Sequence, residues 1–531
     1  MDRMSDHPRP GKGSTYDLLP YRSHSFPQSH PDHLATLARL VGLEPQPVTA
    51  SRVLELGCAS GGNLIPLGHQ LPGSEFTGVE LSGHQAGLGR KAILDLGLKN
   101  VEIKHMDIMD IDETLGMFDF IIAHGVYSWV PREVQEHILD IASSNLSPHG
   151  VAYVSYNTYP GWHVREMIRH MMLYHSNRFD HFQTRVEQAR AFMEFLADAV
   201  SGQNSSYEAL LRQELDLILK SDDSYVFHEF LEEDNSPEYF HQFMERAQRH
   251  GLQYLAEADF HSSLTSSFPK NIRDKIEGLS QDIIESEQFM DFLRNRHFRQ
   301  TLLCHCGLSL QRTLGAENLE GIKIASCADP ENGSLDCSPG SLQTFRTPEG
   351  MWTSSESPAT KAALTVLRRT WPQTLDFEAL LNEVARFLGH ETQNCPMALE
   401  EPWREDLAED LLHCFAEKVI EFHTQGPHFV TRLNQRPKAS PLAAYQAHHG
   451  LPIVNQRHET VVLEEMPREI LKLMNGSRSL EAIVNILSDL APLGVLHLDP
   501  QTAENVQSPR RLEALAWKSF RLLARNALLV A

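Results

Sequence analysis

Between Arg52 and Asn63 the chain reads Arg-Val-Leu-Glu-Leu-Gly-Cys-Ala-Ser-Gly-Gly-Asn, a β-forming run that stops at clustered glycines and passes into helix-forming Leu64 to Leu71. Strand, glycine loop and helix in that order bring backbone N–H groups and a helix N-terminus close to a ligand, and few folds accommodate them. The unit recurs. Short apolar runs at 52–56, 75–79, 101–105, 118–123 and 151–155 alternate with amphipathic or glycine-bounded stretches. This spacing predicts βαβ units and an α/β fold built on a doubly wound parallel sheet. A helix starting at Pro31, with Leu34, Leu37, Leu40 and Val41 on one face, precedes it and ends near Gly42.

The sheet accounts for only part of the 531 residues, which at roughly 150 residues per domain imply about three domains. Helical periodicity from Glu166 to Lys220, with Phe192, Phe195, Leu196 and Val200 on one face, reads as a connector on the sheet domain, which spans 46–222. Residues 223–325 read as mainly helical and open on an acidic, aromatic stretch. The Ser-, Pro- and Gly-rich segment 326–360 marks a boundary, with a candidate strand at Leu342–Phe345. Beyond it, regions 340–430 and 431–531 each carry a helix–turn–helix pattern of the winged-helix kind.

Charge and cysteine content narrow the function. A net charge of −23 argues against a nucleic-acid partner, because such a binder must neutralise phosphates with Lys and Arg. Residues 181–300 are the most acidic third, with 12 Lys/Arg against 22 Asp/Glu. Seven scattered Cys give no disulfide framework and suit a reducing compartment. No signal-like apolar run opens the chain and no uncharged apolar stretch reaches a membrane-spanning length, so the expectation is a cytoplasmic protein without a membrane span. Cys304-His-Cys306 with His297 lacks the second ligand pair of a zinc site, and no metal is expected.

Three carboxylates point to the ligand. Glu55 precedes the glycine loop, Glu80 ends the second strand and Asp107 ends the third, so all three face the crevice where open α/β sheets bind ligands. A carboxylate after strand two can accept both ribose hydroxyls, and one after strand three an adenine amino group. A dinucleotide suits the loop poorly: an acid precedes it and Ala59 stands at the middle glycine position. An acid there suits a cationic cofactor.

At this point the stretch resembles class I S-adenosylmethionine-dependent methyltransferases, whose E/D-x-G-x-G-x-G loop is matched by Glu55-Leu-Gly57-Cys58-Ala59-Ser-Gly61. The resemblance implies S-adenosyl-L-methionine as cofactor, with the loop from Gly57 to Asn63 on its methionine part, Glu80 with Leu81 on the ribose, and Asp107 with Ile108 on the adenine. Residues after strands four and five, Ala123-His-Gly-Val-Tyr-Ser-Trp and Ser155-Tyr-Asn-Thr-Tyr-Pro-Gly-Trp, would flank the methyl group. His124, Tyr127, Tyr156, Asn157 and Tyr159 are the candidate acceptor-orienting groups, His124 doubling as a candidate proton acceptor and cofactor contact.

A wider resemblance runs from about residue 14 to 310. Tyr16-Asp-Leu-Leu-Pro-Tyr21, Tyr156-Asn-Thr-Tyr-Pro-Gly-Trp162, the block from Glu229 to Ala258, and Asn295-Arg-His-Phe-Arg-Gln are similar to bacterial methyltransferases that carry a methyltransferase regulatory domain. That family includes protein-lysine methyltransferases with a winged-helix-like C-terminal region. The resemblance implies an N-terminal segment, 1–45, that closes over the cofactor with Tyr16 and Tyr21, a helical regulatory domain at 223–325, and a homodimer.

Methyl transfer is an in-line displacement at a sulfonium carbon, so the acceptor must present a lone pair. A lysine amine, with an ordinary pKa of about 10.4, must first lose its proton, which burial beside a cation promotes. Positive charge only moves from sulfur to nitrogen, so positioning and water exclusion should dominate. The acidic middle region fits a Lys-rich protein substrate; a small molecule or glycan acceptor is the alternative, and a cofactor-sensing regulatory protein is the reading from another class. Arg294, Arg296 and Arg299 are expected to pair with the acidic region.

Overall fold

A computed structural model describes residues 23–389, 401–491 and 509–531. Five parallel strands, β1 (Arg52–Leu56), β2 (Glu75–Glu80), β3 (Val101–His105), β4 (Phe118–Ala123) and β5 (Leu146–Asn157), form most of a seven-stranded sheet in the order β3-β2-β1-β4-β5-β7-β6. The order reverses between β1 and β4, so the carboxyl ends of those strands open into a crevice. The joining helices α1 (Pro31–Leu40), α2 (Leu64–Gln70), α3 (Gly83–Leu96) and α4 (Arg132–Ser144) have local causes. Pro31 starts α1 at a position where its missing N–H is not needed, and the Ser82 hydroxyl accepts from the Gln85 N–H to cap α3.

The helical connector is observed as α5 (Trp162–Ser176), α6 (Phe182–Ala199) and α7 (Ser206–Lys220), which build a core of their own around Ile168, Met172, Met193 and Phe230. The regulatory region adds α8 (Phe240–Arg249) and α9 (Ile283–Arg294), but also two strands absent from the sequence reading. These are β6 (Leu252–Glu257) and β7 (Phe298–His305), and β7 pairs antiparallel with β5 from Ala152↔Leu303 to Asn157↔Phe298. Both strands are buried, so they lack the polar alternation that would have marked them.

The arginine cluster lies where β7 meets α9. Arg299 is fully buried and its guanidinium donates to Glu257, Glu287 and Asp291 at 2.8–3.0 Å. Arg296 also lies against Asp291, whereas Arg294 donates to backbone carbonyls and sits over the Phe268 ring. Cys304 is buried on β7, and among the described residues no group of three or more His, Cys, Asp or Glu could hold a metal.

The Ser/Pro/Gly-rich segment holds structure. After β8 (Lys323–Ala325), strands β9 (Asp329–Pro330), β10 (Gln343–Arg346) and β11 (Trp352–Ser355) form an antiparallel sheet, while β8 pairs with β12 (Leu375–Asp376) and β13 (Glu421–His423). The last region carries a hairpin of β14 (Ile453–Val454) and β15 (Thr460–Val461), and helices α10 (Glu465–Leu473), α11 (Leu480–Leu490) and α12 (Pro509–Arg525). Among the described residues no helix is long and apolar enough to cross a membrane.

Candidate active site

The glycine loop turns back under the end of β2, with Gly57 and Cys58 both donating their N–H groups to the Val79 carbonyl. Gly57 has φ +66°, and a Cβ there would meet Val126 Cγ2 at 2.7 Å, so neither the conformation nor the space admits a side chain. Ala59 takes a left-handed φ of +50°. The Cys58 side chain points down into the core, so only its backbone belongs to the loop surface.

Glu80 accepts from the Ala59 N–H and the Ser82 N–H, both at 2.8 Å, and so ties the loop to the end of β2. Glu55 is buried; its Oε1 accepts from Asn63 Nδ2 at 3.0 Å, but its Oε2 has no hydrogen-bond partner. Burial, reinforced by the charge of Glu80 and opposed by Asn63, pushes this carboxyl up to about 8. At the third strand, exposed Asp107 accepts from the Met109 N–H, and exposed Leu81 and Met109 give the crevice an apolar margin, with Ile108 between them half-buried.

The cofactor expected from the sequence fits this donor set. An orphaned buried carboxylate oxygen calls for a cation, the glycine loop permits close approach, and apolar side chains beside Asp107 suit a planar base. The N-terminal segment lies over the loop: Ser23 Oγ accepts from the Gly62 N–H at 2.7 Å, and the Phe26 N–H donates to Asn63 Oδ1 at 2.9 Å. Tyr16 and Tyr21 fall outside the described residues.

Strand alternation sorts the acceptor-side candidates. His124, Tyr153 and Asn157 occupy the sheet face that also carries Glu55. Tyr153, not singled out from the sequence, pairs with His124 Nδ1 at 2.8 Å, and the Phe26 ring lies against the His124 ring, tilted by 33° with centroids 3.7 Å apart. Burial pulls His124 down to about 3, so it is a neutral imidazole and a weak proton acceptor.

Tyr127 and Tyr156 belong to the opposite face. Both are buried with Phe243 of α8, away from the face that carries Glu55; the Tyr156 hydroxyl pairs with Thr301 Oγ1, and the Tyr127 hydroxyl is buried without a partner. For Tyr156 the one-residue offset from Asn157 is the cause, since successive strand residues face opposite ways; Tyr127 lies on a 3-10 turn after β4.

Asn157 is buried with no partner for its Nδ2. Just beyond β5, Tyr159 stacks on His163 at 4.0 Å, lies 5.3 Å from the Tyr239 ring and donates its hydroxyl to Glu166. Tyr153 and Tyr239, not singled out from the sequence, become adjacent to the site only through the fold, whereas His163 directly follows the Tyr156–Trp162 motif. A separate cavity of about 960 Å³ lies across the N-terminal segment, bounded by Gln28, His30, Gln300, His423 and Arg457, and the glycine loop does not line it.

Three family models match the chain: a methyltransferase domain over residues 29–199, a predicted methyltransferase regulatory domain over 222–305, and a PKMT C-terminal winged helix domain over 435–528. Among solved structures, PKMT2 from Rickettsia typhi in complex with AdoHcy superposes with a TM-score of 0.82 at 31% identity, covering 96% of this chain and 100% of that one. A second structure of that protein gives 0.83. An uncharacterized protein of Rickettsia prowazekii (strain Madrid E) is 34% identical over 528 residues, covering 97% of this chain and 93% of its own length.

Proposed function

Because this chain belongs to the family of bacterial methyltransferases that join a methyltransferase domain, a methyltransferase regulatory domain and a PKMT winged helix domain, we propose that it methylates lysine side chains of a protein substrate. It is an S-adenosylmethionine-dependent methyltransferase; when bound, the cofactor supplies an electrophilic methyl group on a sulfonium. The observation that carries the cofactor assignment is the buried, unpartnered Oε2 of Glu55 beside the glycine loop. The lysine reading is supported by the full-length likeness to PKMT2 and by the acidic region 181–300, whose charge favours encounter with Lys-rich segments.

In this reading Glu55 pairs with the cofactor's ammonium, the Gly57–Asn63 loop holds the methionine part, Glu80 accepts from the ribose and Asp107 from the adenine amino group. Ser23 and Phe26 cover the loop and exclude water. Asn157 presents an Nδ2 without a partner on the cofactor face; that N–H can donate to a carbonyl oxygen of the entering substrate and so fix the approach of its lysine side chain. The Tyr159, His163 and Tyr239 rings form an aromatic wall for the lysine methylenes and for the cationic product. His124 stays neutral, so the amine enters having already lost its proton to solvent.

The test is transfer of labelled methyl groups from S-adenosylmethionine into cell extract, with protein and small-molecule fractions counted separately and modified residues located by mass spectrometry. Label on lysine supports the proposal. Label confined to metabolites or glycans replaces its acceptor, and the absence of both cofactor binding and label removes its basis.

A further inference from the structure

The C-terminal region reaches the cofactor loop. The tip of the β14–β15 hairpin, residues 455–459, packs on the start of α2, and His458 at that tip is fully buried with φ +61°. Its Nε2 lies 2.7 Å from Asn63 Oδ1, a contact spanning 395 positions of sequence. Three further contacts hold the tip there. Gln70 Nε2 donates to the Asn455 carbonyl at 2.9 Å, Ser25 Oγ pairs with Thr460 Oγ1 at 3.0 Å, and Arg457 forks onto Glu421.

Chemistry fixes the direction of every bond in this chain of contacts. The Phe26 N–H can only donate, so the Asn63 atom facing it is the oxygen. The Asn63 amide nitrogen therefore faces Ser29 Oγ and Glu55 Oε1, where it donates at 3.1 and 3.0 Å. His458 meets the same oxygen and must donate to it from Nε2–H. Its Nδ1, buried without a partner, is then the unprotonated ring nitrogen.

We propose that His458 is a positioning residue of the cofactor site, acting through Asn63 to orient Glu55, so that cofactor affinity is set by the C-terminal region as well as by the methyltransferase domain. With Oδ1 held by His458, the amide cannot rotate, Oε1 of Glu55 is engaged, and Oε2 is the oxygen left for the ligand. Without His458, Asn63 Oδ1 keeps the Phe26 N–H at 2.9 Å but loses its shortest contact, and the amide that directs the carboxylate is held less firmly. The inference rests on the reading that the Glu55 crevice holds S-adenosylmethionine.

The experiment measures AdoHcy binding by titration calorimetry, and KM for S-adenosylmethionine against kcat, on the full chain, three single variants and one double variant. His458→Asn suits the left-handed backbone but is too short to reach Asn63, His458→Gln preserves the reach of Nε2–H, and Glu55→Gln removes the carboxylate. The proposal expects His458→Asn to weaken AdoHcy roughly tenfold and raise KM for S-adenosylmethionine with kcat little changed. It expects His458→Gln to stay within about twofold of wild type, and the Asn and Glu55→Gln effects to be non-additive when combined. If Glu55→Gln weakens binding while His458→Asn matches wild type, or if the two effects add, His458 has no positioning role. If the folded wild-type chain does not bind AdoHcy, the cofactor reading itself fails and this inference with it.

Discussion

His423 Nδ1 lies 2.7 Å from Asp32 Oδ2, so a strand of the middle region clamps the first turn of α1. Asp32 also accepts from the backbone N–H groups of Thr424 and Gln425, and His423 Nε2 lies 3.2 Å from Glu421. Burial pulls the imidazole down, but the two carboxylates overcome it and hold His423 up at about 9. A histidine raised above its unfolded value stabilises fully below about pH 6.5, and that contribution disappears as pH rises through about 9. On the order of 3 kcal/mol is at stake. Thermal unfolding between pH 6.5 and 9.5 should show the wild type losing stability while His423→Gln, lower at the start, stays flatter; parallel curves would remove this role.

Glu55 predicts the opposite slope for ligand binding. A carboxyl at about 8 must ionise to pair with a cation, so AdoHcy affinity should rise by up to about tenfold per pH unit from pH 6 towards 8 and then level. Without ligand the same group weakens the fold as pH climbs through about 8, because the contribution of a raised carboxyl pKa is lost there. Calorimetric titration across this range should give a sloping wild type and a flat, at least tenfold weaker Glu55→Gln.

Tyr156 and Asn157 are neighbours in sequence on opposite faces of β5. Tyr156→Phe removes one buried hydroxyl paired with Thr301 and should cost about 1 kcal/mol of stability with turnover kept. Asn157→Ala should lower kcat with the acceptor by tenfold or more and leave AdoHcy binding near wild type. Equal turnover in both variants would take Asn157 out of the acceptor site.

Among the described residues Arg299 is the guanidinium that bonds all three of Glu257, Glu287 and Asp291 in their buried cluster, with Arg296 at its edge against Asp291 and Glu257. Arg299→Met should destabilise the chain by about 3–5 kcal/mol in urea unfolding, since it leaves three buried carboxylates with only Arg296, which reaches Asp291 and Glu257 but not Glu287. Adding Glu257→Gln and Asp291→Asn should return part of that loss; no recovery would mean that packing over the Phe240 ring, 3.7 Å from the guanidinium carbon, is the larger contribution.

The parallel strands were legible because each couples a β-forming run to a glycine-bounded turn, and Glu55, Glu80 and Asp107 were legible because a strand end dictates where a residue must stand. The face that Tyr127 and Tyr156 occupy was not legible: composition around β5 is aromatic on both sides, and only the packing of α8 sets them opposite Asn157. The strands β6 and β7 were hidden by burial on both faces. His458 carries no local signal, since its meaning comes from Asn63, which the chain places 395 residues away.

The pairing of β7 against β5 has a consequence for synthesis. Asn157 leaves the ribosome about 140 residues before Phe298, its partner across the sheet. At roughly 5–20 residues per second the outer edge of β5, an apolar strand with a row of unsatisfied N–H and C=O groups, stays open for roughly 7–30 s. During that interval the nascent chain is a template for pairing with another copy, and a chain cut before Phe298 never closes it. The strands of the regulatory region thus act as a guard for the catalytic sheet, and chaperone dependence during translation should be greatest just before they emerge.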